Sequence, residues 1–319
     1  MDNKRRNSLK ERIKSIIIKV CRKLIRSIEY EQELDTLFFF LNSFFDIRDV
    51  QKAAGPLREL QECDVMLLKA FHEICKQLNL EYWIDSGTLL GMYRHQGFIP
   101  WDDDMDVCMS RDDYERALEL LPDVCARYGI DVSEFPDYPM ACFGIGYKHQ
   151  ETGIWLDVFP VDMIEGIDIS SSERAILQNL TDYKKYYLKR RKRKTVESIK
   201  TVKNKYMHRN LVSGNDTLFY LGVEYDYYKY ILNRKENIYP LKTASFEGTD
   251  VTVPNNTEAY LNSIYGDSYM QFPRNGVVHH GGEQGKLYEW AKVNNTDMAK
   301  VKKELEDIYN TIIQNNWTV

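Results

Sequence analysis

Residues 82–109 read YWIDSGTLLGMYRHQGFIPWDDDMDVCM, and the order of residue types here sets both the fold and the chemistry expected of the chain. Tyr82 to Asp85 has the aromatic and β-branched character of a short strand. Ser86-Gly87-Thr88 follows as a turn, and Leu89 to Arg94 begins a helix. A helix starting there aims backbone N–H groups at an anion, while Gly87 lets a phosphate approach the chain and Thr88 adds a hydroxyl. Four acids come next, Asp102, Asp103, Asp104 and Asp106. Carboxylates this crowded repel one another unless a cation sits among them, and an all-oxygen set suits a hard divalent ion such as magnesium or manganese. Met105 to Met109 reads as a strand, so Asp104 and Asp106 share one of its faces and can reach the same ion. Asp103 and Met105 are then expected to point the other way, with Asp102 joining from the start of the strand. The expectation is a metal-assisted phosphoryl transferase.

Working outward, Ser110 with Asp113 three residues later resembles a capping box that starts a helix running to Leu121. Further strands are expected at Cys142 to Lys148 and Ile154 to Val161. Asp157 lies inside the apolar run IWLDVFPVD, where an unpaired charge is costly. The cation held by Asp104 and Asp106 is its economical partner, which makes Asp157 the third carboxylate, with Asp162 a further neighbour. Upstream, Gly55-Pro56 marks a boundary, and Leu57, Leu60, Leu67, Leu68, Phe71, Ile74, Cys75 and Leu78 trace a helix. A last helix is expected from Asp297 to Asn315.

Composition bounds these readings. The 319 residues are 43% hydrophobic and 29% charged, as in a soluble globular protein with a real core. Six cysteines include no C-x-x-C pair and no secretory signal precedes them, so reduced thiols in a cytosolic setting are expected rather than a disulfide framework or zinc finger. No apolar run reaches the length that crosses a bilayer. The net charge of -5 conceals two basic segments: residues 1–30 hold ten Lys/Arg against three acids, and residues 184–209 hold twelve against one. In residues 9–28 apolar positions recur at three- and four-residue steps among basic ones, a basic amphipathic helix that either lies on an anionic membrane or packs on the body. Leu34 to Phe45 reads as a short packed helix. The 184–209 segment is either a solvated helical face or a contact for anionic headgroups or glycan, with nucleic acid a distant alternative unsupported by any motif. A cytoplasmic protein is expected, either free or peripheral on the inner membrane face.

Between the turn and the acids, Arg94 can grip a diphosphate bidentately or form a structural ion pair. His95 either contacts substrate or packs, and Trp101 is a packing lid or a base-stacking platform. Arg111 is expected to pair with nearby acids. His279 and His280, in a polar loop after Arg274, are either donor or acceptor contacts or plain surface histidines.

The Gly-Thr turn, the Asp-x-Asp strand and a later strand carboxylate resemble the active-site pattern of the nucleotidyltransferase superfamily. More narrowly, GTLLGMYRHQGFIPWDDDMDVCMSRDDYE, WLDVFPVD and FEGTDVTVPNNTEAYLNSIYGDSYMQFP resemble the LicD family of phosphorylcholine transferases, itself similar to the fukutin-related ribitol-phosphate transferases. The family turn is commonly followed by Gly-Ala-x-Arg, where this chain has the bulkier Gly91-Met92-Tyr93-Arg94. The resemblance implies an α/β (α+β) fold with a nucleotidyltransferase-like mixed sheet. It implies transfer of a phospho-alcohol, typically phosphocholine, from CDP-choline or another CDP-alcohol to a sugar hydroxyl of a glycan or glycolipid precursor. Asp104 and Asp106 would then be the metal pair and Asp157 the third carboxylate, with Gly87 and Thr88 at the donor phosphates. Two other readings stay open: a nucleotidyltransferase acting on a small molecule or polymer, and a non-enzymatic membrane-surface adaptor. The expected organisation is a basic helical arm at 1–54, the catalytic core at 55–165, a basic helical insertion at 166–215, and an α-rich part at 216–319 that completes the cleft.

Overall fold

The computed structural model describes residues 30–135, 142–148, 152–190, 205–206, 208–221, 231–273 and 296–315. The basic helix expected at 9–28, most of the 184–209 segment and both His279 and His280 lie outside them. The chain divides into two units, one of residues 1–50 and 270–279 and the other of residues 51–269 and 280–319. In the first, residues 30–44 are helical, and a single turn at Ile47–Asp49 is capped by Asp46, whose carboxylate accepts the Arg48 N–H. The helix expected around Leu34 to Phe45 is present, but Phe39, Phe40, Phe44 and Phe45 are exposed rather than packed, with Phe38 half-buried.

The second unit is a mixed α/β fold. Helix α1 (Pro56–Gln77) starts at Gly55-Pro56, with proline at a first-turn position where its missing N–H costs nothing. Its buried face carries Leu60, Leu67, Leu68, Phe71, Ile74 and Cys75. Strands β1 (Trp83–Ile84), β2 (Asp106–Ser110), β3 (Asp131–Phe135), β4 (Cys142–Gly146) and β5 (Trp155–Ile167) are joined by α2 (Ser86–His95) and α3 (Arg111–Ala126). In space the strands run β1-β2-β5-β4-β3, and β6 (Ser213–Leu221) and β7 (Leu232–Arg234) extend the sheet beyond β5. β2 and β5 are parallel; the other neighbours are antiparallel. β5 is long enough to pair with β4 over Trp155–Val158, with β2 over Asp157–Val161 and then with β6 from Asp162 onward. The sheet therefore continues past residue 165, the limit expected for the core.

The central strands are buried on both faces, as the side chains of Val107, Cys108, Met109, Phe143, Ile145, Leu156 and Val158 show. Such strands read as continuous apolar runs rather than alternating ones. α3 begins at Ser110, whose hydroxyl accepts the Asp113 N–H. It runs to Ala126 rather than stopping at Leu121, because Leu121, Val124 and Cys125 stay buried on either side of Pro122. Next come α4 (Ile169–Arg190), α5 (Lys235–Ile238), the hairpin β8 (Lys242–Phe246) with β9 (Thr249–Val253), α6 (Thr257–Tyr265) and α7 (Met298–Gln314). α7 is capped by the Asp297 carboxylate and packs on α1, where Gln77 donates to the Ile312 carbonyl at 3.0 Å and Lys302 pairs with Glu62 at 2.9 Å. Among the described residues Cys63, Cys75, Cys108, Cys125 and Cys142 are free and buried. No described helix is long and apolar enough to cross a membrane.

Candidate active site

Asp106 opens β2 and is the register partner of Asp157 on the parallel strand β5. Paired residues of adjacent strands project from the same face of a sheet, so the two carboxylates emerge side by side. The start of α2 is fastened to the same residue from both directions. The Thr88 hydroxyl accepts the Asp106 N–H at 2.9 Å, and the Asp85 N–H donates to the Asp106 carbonyl at 2.9 Å. One residue earlier, the Met105 carbonyl accepts the Asp157 N–H at 2.9 Å.

α2 begins three residues earlier than the sequence suggests. Ser86, Gly87 and Thr88 form its first turn rather than a loop before it, which places their N–H groups where no intrahelical acceptor exists. Asp85 precedes the helix but makes no side-chain cap bond, and Ser86 holds a left-handed φ of 46°. Such a value in a residue bearing a side chain is a strained feature of the kind found at functional sites. Gly87 is needed for close approach, although the approaching group in the structure is protein: a Cβ there would lie 2.5 Å from Asp102 Oδ2. The Asp102 carboxylate thus rests against the helix's positive end, a favourable place for negative charge.

The carboxylates of Asp102, Asp103 and Asp104 each offer an oxygen, all within 4.8 Å of one another. Asp103 is buried between the half-buried Asp102 and Asp104 and does not point away from them. Strand alternation does not reach these residues, because β2 starts only at Asp106; it therefore neither turns Asp103 away nor sets Asp104 on the same strand face as Asp106. Burial pushes the Asp106 carboxyl well above the usual carboxylate range, and the neighbouring Asp104, Asp157, Asp85 and Asp102 push it further. An all-carboxylate donor set that strains against its own charge could hold a hard divalent cation; among the described residues the oxygens that converge on one point are those of Asp102, Asp103 and Asp104, rather than the expected Asp104, Asp106 and Asp157 set.

Asp157 has a protein partner that the sequence did not disclose. The Trp155 indole N–H donates to Asp157 Oδ1 at 2.7 Å. Its ring lies over Gly144, where an added Cβ would sit 1.9 Å from Trp155 Cζ2; Gly144 is the β4 register partner of Asp157. Asp162 is not part of this group. It is buried in a bidentate pair with Arg111, both bonds at 2.9 Å, which is the pairing expected of Arg111.

Arg94 is buried near the far end of α2, two turns from Gly87 or roughly 10 Å along the axis. Its Nη1 donates to the Tyr269 carbonyl at 3.0 Å, while Nε has no hydrogen-bond partner among the described residues. Burial lowers its pKa to about 10 against the opposing pull of Tyr265 and Asp102. A buried guanidinium with a spare donor is suited to an anion. His95 is half-buried at the end of α2, and Trp101 is half-buried against the core, consistent with the packing role.

Several residues at the site were not singled out from sequence. Asp64 on α1 is fully buried. Its Oδ1 accepts the Trp155 N–H at 3.4 Å, and Oδ2 has no hydrogen-bond partner among the described residues. Burial pushes its carboxyl well up, and Asp104 and Asp103 add to the effect. The available signal was its place between Leu60 and Leu68, four residues from each, on an otherwise apolar helix stripe. Asp85 is buried and accepts the Cys108 thiol at 3.1 Å. Tyr265, from α6, is raised by burial and by Asp85, with Asp106 and Asp102 also in range, and it bonds to Ser86. Gln61, also buried, donates to the Asp102 carbonyl at 2.9 Å and holds the approach to the acids. Glu247 clamps the same loop from β8–β9: it accepts from Arg58 at 2.8 Å and Lys52 at 2.7 Å, and its carboxylate packs where a Cβ on Gly97 would be.

Residues 79–175 match the family described as "LicD/FKTN/FKRP, nucleotidyltransferase domain", a span that contains α2, β2 and β5 as far as and beyond Asp157. The chain is 28% identical over 250 residues to the lipopolysaccharide cholinephosphotransferase LicD of Haemophilus influenzae, covering 68% of this chain and 92% of that protein. An uncharacterised protein of Rickettsia prowazekii is 40% identical over 88 residues, covering 27% of this chain and 33% of its own. Residues 79–175, which hold the paired strand carboxylates and the helix start fastened to them, are thus similar to the LicD/FKTN/FKRP nucleotidyltransferase domain.

Proposed function

We propose that the protein transfers a phospho-alcohol, phosphocholine in the first instance, from a CDP-linked donor to a sugar hydroxyl of a cell-surface glycan or glycolipid precursor. The observation that carries this reading is the register of Asp106 against Asp157 beside the first turn of α2, in a chain similar to a lipopolysaccharide cholinephosphotransferase over most of that protein's length. Magnesium or manganese held by Asp104, Asp106 and Asp157 would neutralise phosphate charge and align the reacting oxygens. The chain's own groups do the rest. The first-turn N–H groups of Ser86, Gly87 and Thr88 receive phosphate oxygens, and Arg94 lends its spare Nε donor to the diphosphate. The acceptor hydroxyl attacks the distal phosphorus, the bond to the bridging oxygen breaks, CMP leaves, and a carboxylate of the site takes the hydroxyl proton. Asp157, oriented by the Trp155 indole, is placed for that role.

The test is incubation of the purified protein with magnesium, a panel of CDP-alcohols and a lipopolysaccharide-type acceptor. The expected result is CMP release with phospho-alcohol on the acceptor. Because the matched domain is named for nucleotidyl transfer, nucleoside triphosphates belong in the panel. Consumption of a triphosphate with the nucleotide retained on the acceptor, and no turnover of any CDP-alcohol, would overturn the reading.

A further inference from the structure

The helix at 30–44 leaves an apolar surface that the transfer reading does not use. Phe39 is 73% exposed, Phe44 70%, Phe45 56%, Leu37 50% and Phe40 49%. Phe40 stacks on Phe44 with ring centroids 4.8 Å apart and approaches Phe45 at 6.0 Å, so three of the rings form one cluster. From Thr36 to Phe45 there is no charged residue. Isolated exposed apolar residues are ordinary, but a contiguous aromatic cluster on an uncharged helix marks an interaction surface.

We propose that Leu37, Phe39, Phe40, Phe44 and Phe45 insert into the interfacial layer of a bilayer rich in anionic lipid. The distribution of the side chains around the helix selects this partner. Leu37, Phe40 and Phe44 share one face, at three- and four-residue spacing, while Phe39 projects from nearly the opposite side to Leu37. A second copy of this chain or another folded protein would cover one face; a fluid apolar phase receives several at once. The charge pattern selects the lipid. Residues 1–30 carry ten Lys/Arg against three acids, and the excess outweighs Glu31, Glu33 and Asp35, which lie between them and the cluster; basic residues near an inserted aromatic segment are attracted to anionic headgroups. The uncharged stretch from Thr36 to Phe45 is too short to span the hydrocarbon core, and the charged residues before it interrupt any longer apolar run, so the segment is assigned to the interface. This inference stands independently of the reaction assigned to the site.

The full chain is floated with vesicles of 3:1 phosphatidylcholine:phosphatidylglycerol and, in parallel, with pure phosphatidylcholine. Co-flotation is expected with the anionic vesicles, weakening in high salt. The double variant Phe40→Ser/Phe44→Ser should bind them about a hundredfold more weakly, about tenfold for each ring removed, with an unchanged melting curve. Met163→Ser, at another exposed apolar position, should bind like the unmodified chain. Equal binding of the double variant and the unmodified chain, or no flotation with either vesicle, overturns the proposal. So does an unmodified chain that dimerises through these residues, becomes monomeric in the double variant and ignores vesicles.

Discussion

Substituting Gly144 by alanine tests whether the Trp155 indole positions Asp157. A Cβ at Gly144 would stand 1.9 Å from Trp155 Cζ2, 2.1 Å from Cε2 and 2.4 Å from Nε1, far inside contact distance, so the indole has to leave its seat. Its N–H bond to Asp157 Oδ1, 2.7 Å in the structure, breaks with it. Overpacking of this kind costs about 1–3 kcal/mol, and a hydrogen bond to a charged group about 1.5–3 kcal/mol. Trp155 is half-buried, which gives the displaced ring room outward; the expected loss of stability is about 2–4 kcal/mol. Transfer should fall more than stability accounts for, because Asp157 loses the donor that fixes its orientation. The measurements are urea unfolding and initial rates of CMP release on saturating donor. The decisive control is the same substitution in a Trp155→Ala background, where there is no ring to displace. Gly144→Ala should then cost little in either assay. If it costs as much as in the unmodified chain, the indole does not position Asp157 and the reasoning is wrong.

Replacing Asp106 or Asp157 by asparagine should reduce transfer by about a thousandfold or more, read as CMP release. Asp106→Asn should also raise the melting temperature at neutral pH without added metal. An acid whose folded pKa is raised opposes folding above its unfolded value, and the amide removes that opposition. A drop in melting temperature would count against the crowding of charge inferred here. Glu247→Gln should destabilise by about 1.5–3 kcal/mol at pH 7 and loosen the loop before the acids. Burial alone would raise the Glu247 pKa, but the bonds from Arg58 and Lys52 outweigh it and hold the pKa low. The gap between the unmodified and variant chains should therefore be full above the ordinary glutamate range and close as pH falls through the depressed value. A gap that widens in acid, measured by urea unfolding between pH 3 and 7, would contradict the sign. Asp162→Asn should lower stability by about 1.5–3 kcal/mol through its pair with Arg111. Its rate of transfer per folded molecule should stay unchanged, and a thousandfold loss would place Asp162 in the site after all.

Much of this site was legible in residues 82–109, because the information there is local. A Gly-Thr pair at a helix start and acids at the mouth of a strand are adjacent in the chain, and strand periodicity places Asp106 without reference to the rest of the fold. The apolar run around Asp157 likewise announced a carboxylate that needed a partner. Strand and helix existence followed from periodicity, while their ends did not: α3 continues through Pro122 and α2 starts at Ser86 because burial and bonds to β2 decide those limits.

What the sequence determined by itself is the inventory: a family pattern, a run of acids with a further carboxylate on a later strand, two basic segments and a mixed α/β core. What only the tertiary structure decided is which groups face one another. The parallel register of β2 and β5 sets Asp106 beside Asp157. The departure of residues 102–105 from strand geometry turns Asp103 inward. Packing of α1 brings Asp64 under the acids, the missing side chain of Gly144 seats Trp155 against Asp157, and β5 gives Asp162 to Arg111. Each of these is a contact between residues distant in the chain. Sequence periodicity fixes which face of its own element a side chain occupies, and only the folded chain fixes what that face meets.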